Sequence, residues 1–306
     1  MICNMSELLE LAKKGRPTRL AVACAQDEYV LSAVLEAKKL GIAEPVLVGD
    51  TQEIHAILKT LGADPAGIRL IDEKEKMEAC MKAARLIRDG EADVIMKGFV
   101  DTAIIMRAVL TRENCLRGGG ILSHDMVAEI RGYDRLIHVT DSAVNIAPTL
   151  ENKADIIRNA VSVAHALENE CPRVAALCAV EKVSEKMPCT AEAAELAAMN
   201  RRGEISGCLV DGPLALDNAV SPEAAAHKGV NSQVAGRADI LLAPDIEAGN
   251  ILTKAMEYFG GAKKAGVIVG AKVPVALTSR SSTAESKLYT IALSCLIARK
   301  SCSKKG

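Results

Sequence analysis

Short apolar runs alternate with longer amphipathic ones along almost the whole chain, and this alternation limits the fold more than any other feature. Candidate strands cover 20–24, 46–48, 68–71, 94–96, 135–139, 174–178, 208–210, 240–243, 267–269 and 275–277. Helical patterns lie at 27–40, 51–61, 74–89, 102–110, 150–167, 190–201, 221–228, 246–258 and 282–299. In the first of these, Val30, Leu31, Val34 and Leu35 fall on one face, and Gly41 supplies the stop. A helix between most successive strands gives βαβ units, and hence a largely parallel sheet covered on both faces. A chain of 306 residues exceeds one average domain, so two α/β lobes are expected.

The cores must be aliphatic, because the chain has no Trp, two Phe and four Tyr. That scarcity argues against nucleic-acid modules that stack bases on aromatic platforms. Lys and Arg number 38 against 39 Asp and Glu, interspersed, so no basic stripe points to nucleic acid or an anionic membrane. The basic end from Lys300 onward reads as a frayed tail. Ten cysteines are dispersed without a Cys-x-x-Cys pair, and Cys24, Cys178, Cys208 and Cys295 sit in apolar runs. Buried reduced thiols are the better reading. The His residues form no ligand-spaced pair, and Asp245-x-Glu247 lacks a third partner, so no metal is expected. The N-terminus lacks a leader-like apolar region, and no apolar run approaches the ~20 residues of a membrane helix. A soluble cytoplasmic protein is expected.

Chemistry is expected where apolar runs end in polar residues, since α/β sheets bind ligands beyond their strand ends. Leu277-Thr278-Ser279-Arg280 puts a hydroxyl beside a guanidinium just ahead of the last helix, a good anion site. Lys97-Gly98 closes a strand with a point charge and a residue that permits close backbone approach. Arg107 lies on the helix that follows, where it reads equally as a surface ion-pair partner. Asp141 and Ser142 end another strand, though Asp141 reads equally as an Asx-turn or cap. Asp211-Gly212-Pro213 reads as a strand-to-turn device, and Asn250 belongs to the loop-and-helix tract 243–250. Gly118-Gly119-Gly120 matches no phosphate fingerprint and reads as a flexible turn. His124 reads as a satisfied polar residue rather than a base.

The order and spacing of Lys97-Gly98, Thr140-Asp141, the run from Asp211 to Asp217, and Leu277 to Arg280 resemble the phosphate acetyl/butyryltransferase family, its butyryl branch most. The resemblance covers residues 20–297. It implies two α/β lobes with an inter-lobe cleft, similar to isocitrate and isopropylmalate dehydrogenases: 1–126 plus 269–306, and 127–268. It implies exchange of an acyl group between coenzyme A and phosphate, with CoA as a substrate, no tightly bound cofactor and a homo-oligomeric enzyme. Arg280 would contact the phosphoryl group and Ser279 would hydrogen-bond the CoA thiol. Lys97, Gly98, Arg107, Asp141, Ser142, Asp211, Gly212 and Asn250 would contact substrate. Ser142 stands where the acetyl branch has Cys, and Ser286 where it has the Asp assigned as base. Glu285 is then the carboxylate at hand, while a thiolate held by Arg280 and a helix N-terminus would need none. Acetyl-CoA chemistry, a two-lobe dehydrogenase and a silent binding protein are the alternatives. The dehydrogenase lacks a nucleotide fingerprint here.

Overall fold

The computed structural model describes residues 1–279 and 281–303, so Arg280 and the end of the basic tail lie outside the described residues. The chain divides into two compact units: Met1–Asn4 with Gly120–Lys264, here the central unit, and Met5–Gly119 with the chain from Ala265 onward, the terminal unit. Among the described residues no helix is long and apolar enough to cross a membrane.

The terminal unit begins with α1 (Met5–Lys13), β1 (Thr18–Ala23), α2 (Glu28–Lys39), β2 (Ala43–Gly49), α3 (Thr51–Thr60), β3 (Arg69–Asp72), α4 (Lys76–Arg88), β4 (Val94–Lys97) and α5 (Thr102–Leu110). The helix starts are set locally: Asp27, Asp50 and Glu75 each accept an amide of the first turn. The strands lie parallel in the order β3-β2-β1-β4. Leu20, Ala21, Val22 and Ala23 are buried in succession, which happens only when both sheet faces are covered.

The central unit holds β5 (Ser123–Glu129), β6 (Leu136–Thr140), α6 (Leu150–Ala166), β7 (Arg173–Leu177), α7 (Pro188–Arg201), β8 (Leu209–Leu214), α8 (Leu216–Val220), α9 (Pro222–His227), β9 (Ile240–Leu242) and α10 (Ile246–Tyr258). Its order is β5-β6-β9-β7-β8, parallel except for β5 against β6. Alternate residues of β7 and β9 enter opposite cores. Val174, Ala176, Ile240 and Leu242 pack with Ile157 and Leu196, whereas Ala175 and Leu241 pack with Val139 and Leu252.

The chain then returns to the terminal unit through β10 (Lys263–Val269), β11 (Val275–Ala276) and α11 (Ala284–Ser303). β11 pairs in parallel with β4 and antiparallel with β10. α11 lies against β1, β4 and β11 and against α1 and α2. Near its end, Arg299 donates to Thr18 Oγ1 at 2.9 Å and to the carbonyls of Ala12, Lys14 and Ile42 at 2.8, 2.7 and 3.1 Å.

Each strand and helix expected from the sequence is present, with ends shifted by a few residues. The expectation for β8 is corrected. The strand continues through Gly212-Pro213 to Leu214 rather than turning there, because β8 is the edge of its sheet, where Pro removes no ladder donor that a neighbour needs. α1, β5 and the short α8 are elements beyond those expected. Cys24, Cys178, Cys208 and Cys295 are buried and free of disulfides.

Candidate active site

The terminal unit has a reversal in strand order at β1: β2 and β3 lie on one side, β4 and β11 on the other. Ligands of parallel α/β sheets bind beyond the strand ends at such a switch point. Ala23 of β1 is level with Lys97 of β4, and Ala276 of β11 with Met96. Three neighbouring parallel strands therefore release Cys24, Lys97-Gly98 and Leu277–Ser279 at the same sheet edge.

Gly98 makes this edge tight. Its amide donates to the Ala23 carbonyl at 2.9 Å and that of Phe99 to the Cys24 carbonyl at 2.7 Å. A Cβ on Gly98 would collide with both of those carbonyl oxygens. Lys97 is 5% exposed, with its ammonium donating to the carbonyls of Val100 at 2.9 Å and Gly98 at 3.3 Å. It is built into the turn rather than waving from a loop. Arg107 is exposed on α5 and has no ion-pair partner among the described residues.

Ser279 is exposed, its hydroxyl 3.0 Å from that of Ser281. Its carbonyl faces inward, accepting from Ser282 N at 3.1 Å and from the ammonium of Lys287 at 3.0 Å. Lys287 also donates to Thr278 Oγ1 at 3.3 Å and is 2% exposed. Sequence reasoning passed over Lys287; the only available signal was a cation in the first turns of a helix, where the dipole disfavours it. Thr283 starts that helix, its hydroxyl accepting from Ser286 N at 3.2 Å. Glu285 is exposed and accepts from the Tyr289 hydroxyl at 2.6 Å. Arg280 lies outside the described residues.

In the central unit, β6 and β9 are adjacent and parallel, with Thr140 level with Leu242. Asp141-Ser142 and the 243–250 tract therefore leave one sheet edge side by side. The Asp141 carboxylate shapes its own turn: Oδ1 accepts from Ala143 N at 2.9 Å and Val144 N at 3.1 Å, and Oδ2 from Asn145 N at 3.0 Å and its side chain at 2.6 Å. Asn250 donates to the Ser142 carbonyl at 3.1 Å, and Gly249 lets α10 come against the Asp141 carbonyl. Ser142 is 2% exposed and its hydroxyl meets His124 Nδ1 at 2.8 Å, so His124 is a partnered polar residue. Burial holds the His124 pKa below the ordinary histidine value, although Asp141 and Asp125 pull it upward. Asp211 accepts from Gly212 N at 2.9 Å and sits inside β8, level with Ala175, so these two residues do not join the turn of Asp141, Ser142 and Asn250.

Chemically, the terminal unit's edge offers buried ammonium groups, hydroxyls and the N-terminus of a long helix, a set that favours an anion. Comparison with known proteins agrees. The phosphate acetyl/butaryl transferase family profile matches residues 3–82 and 73–295. Phosphate butyryltransferase of Clostridium beijerinckii is 48% identical, over 96% of this chain and 98% of its own. Phosphate acetyltransferase of Thermotoga maritima is 45% identical, over 96% and 99%. The crystal structure of a branched-chain phosphotransacylase from Enterococcus faecalis superposes with a TM-score of 0.81 at 32% identity, covering 92% of this chain and 99% of that one. This chain belongs to the phosphate acetyl/butaryl transferase family and is an acyltransferase.

Proposed function

We propose that the protein interconverts butyryl-CoA and inorganic phosphate with butyryl phosphate and CoA. The observation that carries this reading is the exposed Ser279 hydroxyl at the switch-point edge, backed by the buried ammonium of Lys287, in a chain 48% identical to a phosphate butyryltransferase. A phosphate oxygen attacks the thioester carbonyl, the tetrahedral centre collapses, the C–S bond breaks and the CoA thiolate leaves. Both nucleophiles belong to substrates, so no acyl-enzyme forms. Arg280 holds the phosphoryl oxygens, and Ser279 donates to the departing sulfur. Lys97, Gly98 and Arg107 serve the phosphate, whereas Ser142, Asp211, Gly212 and Asn250 bind substrate and Asp141 sets the turn that presents Ser142. Holding the reactants and neutralising charge supply most of the rate. Thiol deprotonation is assigned to the field of Arg280 and the α11 N-terminus; Glu285, engaged by Tyr289, serves as base only if Glu285→Gln abolishes turnover. CoA is a dissociable substrate of a cytoplasmic homo-oligomer in this reading.

The test is a coupled assay with CoA thioesters of C2 to C5 acids. Butyryl-CoA is expected to exceed acetyl-CoA in kcat/KM by roughly ten- to a few hundred-fold, the scale at which a hydrophobic pocket discriminates added methylenes. Arg280→Ala is expected to lose about 2–4 kcal/mol of transition-state stabilisation. A higher kcat/KM for acetyl-CoA makes the protein a phosphate acetyltransferase, and failure to form any acyl phosphate removes the reading.

A further inference from the structure

Lys287 is a cation in an unfavourable place. It lies in the first turns of α11, against the positive end of the helix dipole, and it is 2% exposed. Burying an ammonium is unfavourable unless its protons are well used, and an apolar side chain of similar volume would avoid both penalties. Its contacts explain where the charge is spent. Nζ donates to the Ser279 carbonyl at 3.0 Å and to the Thr278 hydroxyl at 3.3 Å, the segment that β11 delivers to the switch-point edge. The same carbonyl accepts from Ser282 N at 3.1 Å. With its carbonyl pinned inward from two directions, Ser279 presents its side chain outward, and it is exposed.

We propose that Lys287 is a positioning residue. By anchoring the Ser279 carbonyl and the Thr278 hydroxyl, it fixes the direction in which the Ser279 hydroxyl meets the reacting sulfur. This rests on the assignment of Ser279 to the CoA thiol, and it adds a residue that acts only through Ser279.

A double-mutant cycle tests it in the full-length protein, with turnover measured from butyryl phosphate and CoA and folding followed by circular dichroism and thermal unfolding. Lys287→Met is expected to lower kcat by ~tenfold or more while moving the KM for CoA less than ~threefold, the signature of a lost transition-state interaction. In a Ser279→Ala background the further loss from Lys287→Met is expected to shrink below ~threefold, because residues acting as one unit are not additive. Undiminished kcat in folded Lys287→Met beside an impaired Ser279→Ala overturns the proposal alone, as do equal losses in both backgrounds. Full activity of Ser279→Ala overturns the assignment of Ser279 itself. Should Lys287→Met fail to fold, Lys287→Gln, which keeps an N–H donor without the charge, enters the same cycle with the same opposed outcomes.

Discussion

At the scale of single residues, the edge of the terminal unit depends on an absent atom. Gly98 carries no Cβ, and the exits of β1 and β4 interlock through its amide and that of Phe99. Gly98→Ala forces two carbonyl oxygens apart, and overpacking of this kind costs about 1–3 kcal/mol. A lowered denaturant midpoint together with a fall in kcat/KM is expected, and an unchanged midpoint would show that the turn yields freely. His124 gives a second prediction. Its folded pKa is depressed by burial, so below ~6.5 the unfolded chain binds a proton that the folded chain resists. Stability is therefore present above that pH and is lost as pH falls through it. Urea midpoints at pH 7.5 and 5 should differ more for the natural protein than for His124→Gln; equal differences would remove His124 as a source of acid lability. Residue types and spacing made Ser279, Lys97-Gly98 and Asp141-Ser142 legible as strand-end residues in the sequence. Lys287 and the Ser142–His124 pair were not, because their meaning lies in burial and in contacts that sequence distance does not show.

At the scale of elements, local pattern served best where one periodicity ran uninterrupted. α5 and α10 begin and end where their apolar spacing does. β5 was hidden because it opens with Ser123, His124 and Asp125, polar side chains that read as a loop. Each is buried and hydrogen-bonded to a partner from another segment: Asn159 at 3.0 Å, Ser142 at 2.8 Å and His138 at 2.8 Å. Pro213 likewise looked like a strand end because its tolerance depends on β8 being an edge, which only topology decides. The end of α11 carries the third prediction. Arg299 fills the acceptors at the end of α1, the start of β1 and the loop before β2 with one guanidinium. Arg299→Ala removes charge-assisted hydrogen bonds from partly buried carbonyls and is expected to destabilise the fold by about 2–4 kcal/mol. Thermal unfolding reads the loss, and kcat at low temperature should stay close to that of the natural protein. A large kcat effect with unchanged stability would contradict a purely structural clamp.

At the scale of the whole molecule, the terminal unit is made from both sides of the central one in sequence. β11 sits between β4 and β10, so the sheet begun by the first segment is completed only after the chain has passed through the central unit. The sequence shows the last strands and helix but not their destination, since periodicity says what an element is and not which neighbour it pairs with. Protein synthesis is directional, and this fold has to live with that direction. While the ribosome is still translating the central unit, β4 has an open flank, and α1 and α2 lack the helix they pack against. The segment made first is therefore the one that waits, and the segment made second has all its strands in hand sooner. Nascent chains arrested just after Lys264 should yield a protease-resistant core from the central unit ahead of one from residues 5–119, so the order of maturation would run opposite to the order of emergence.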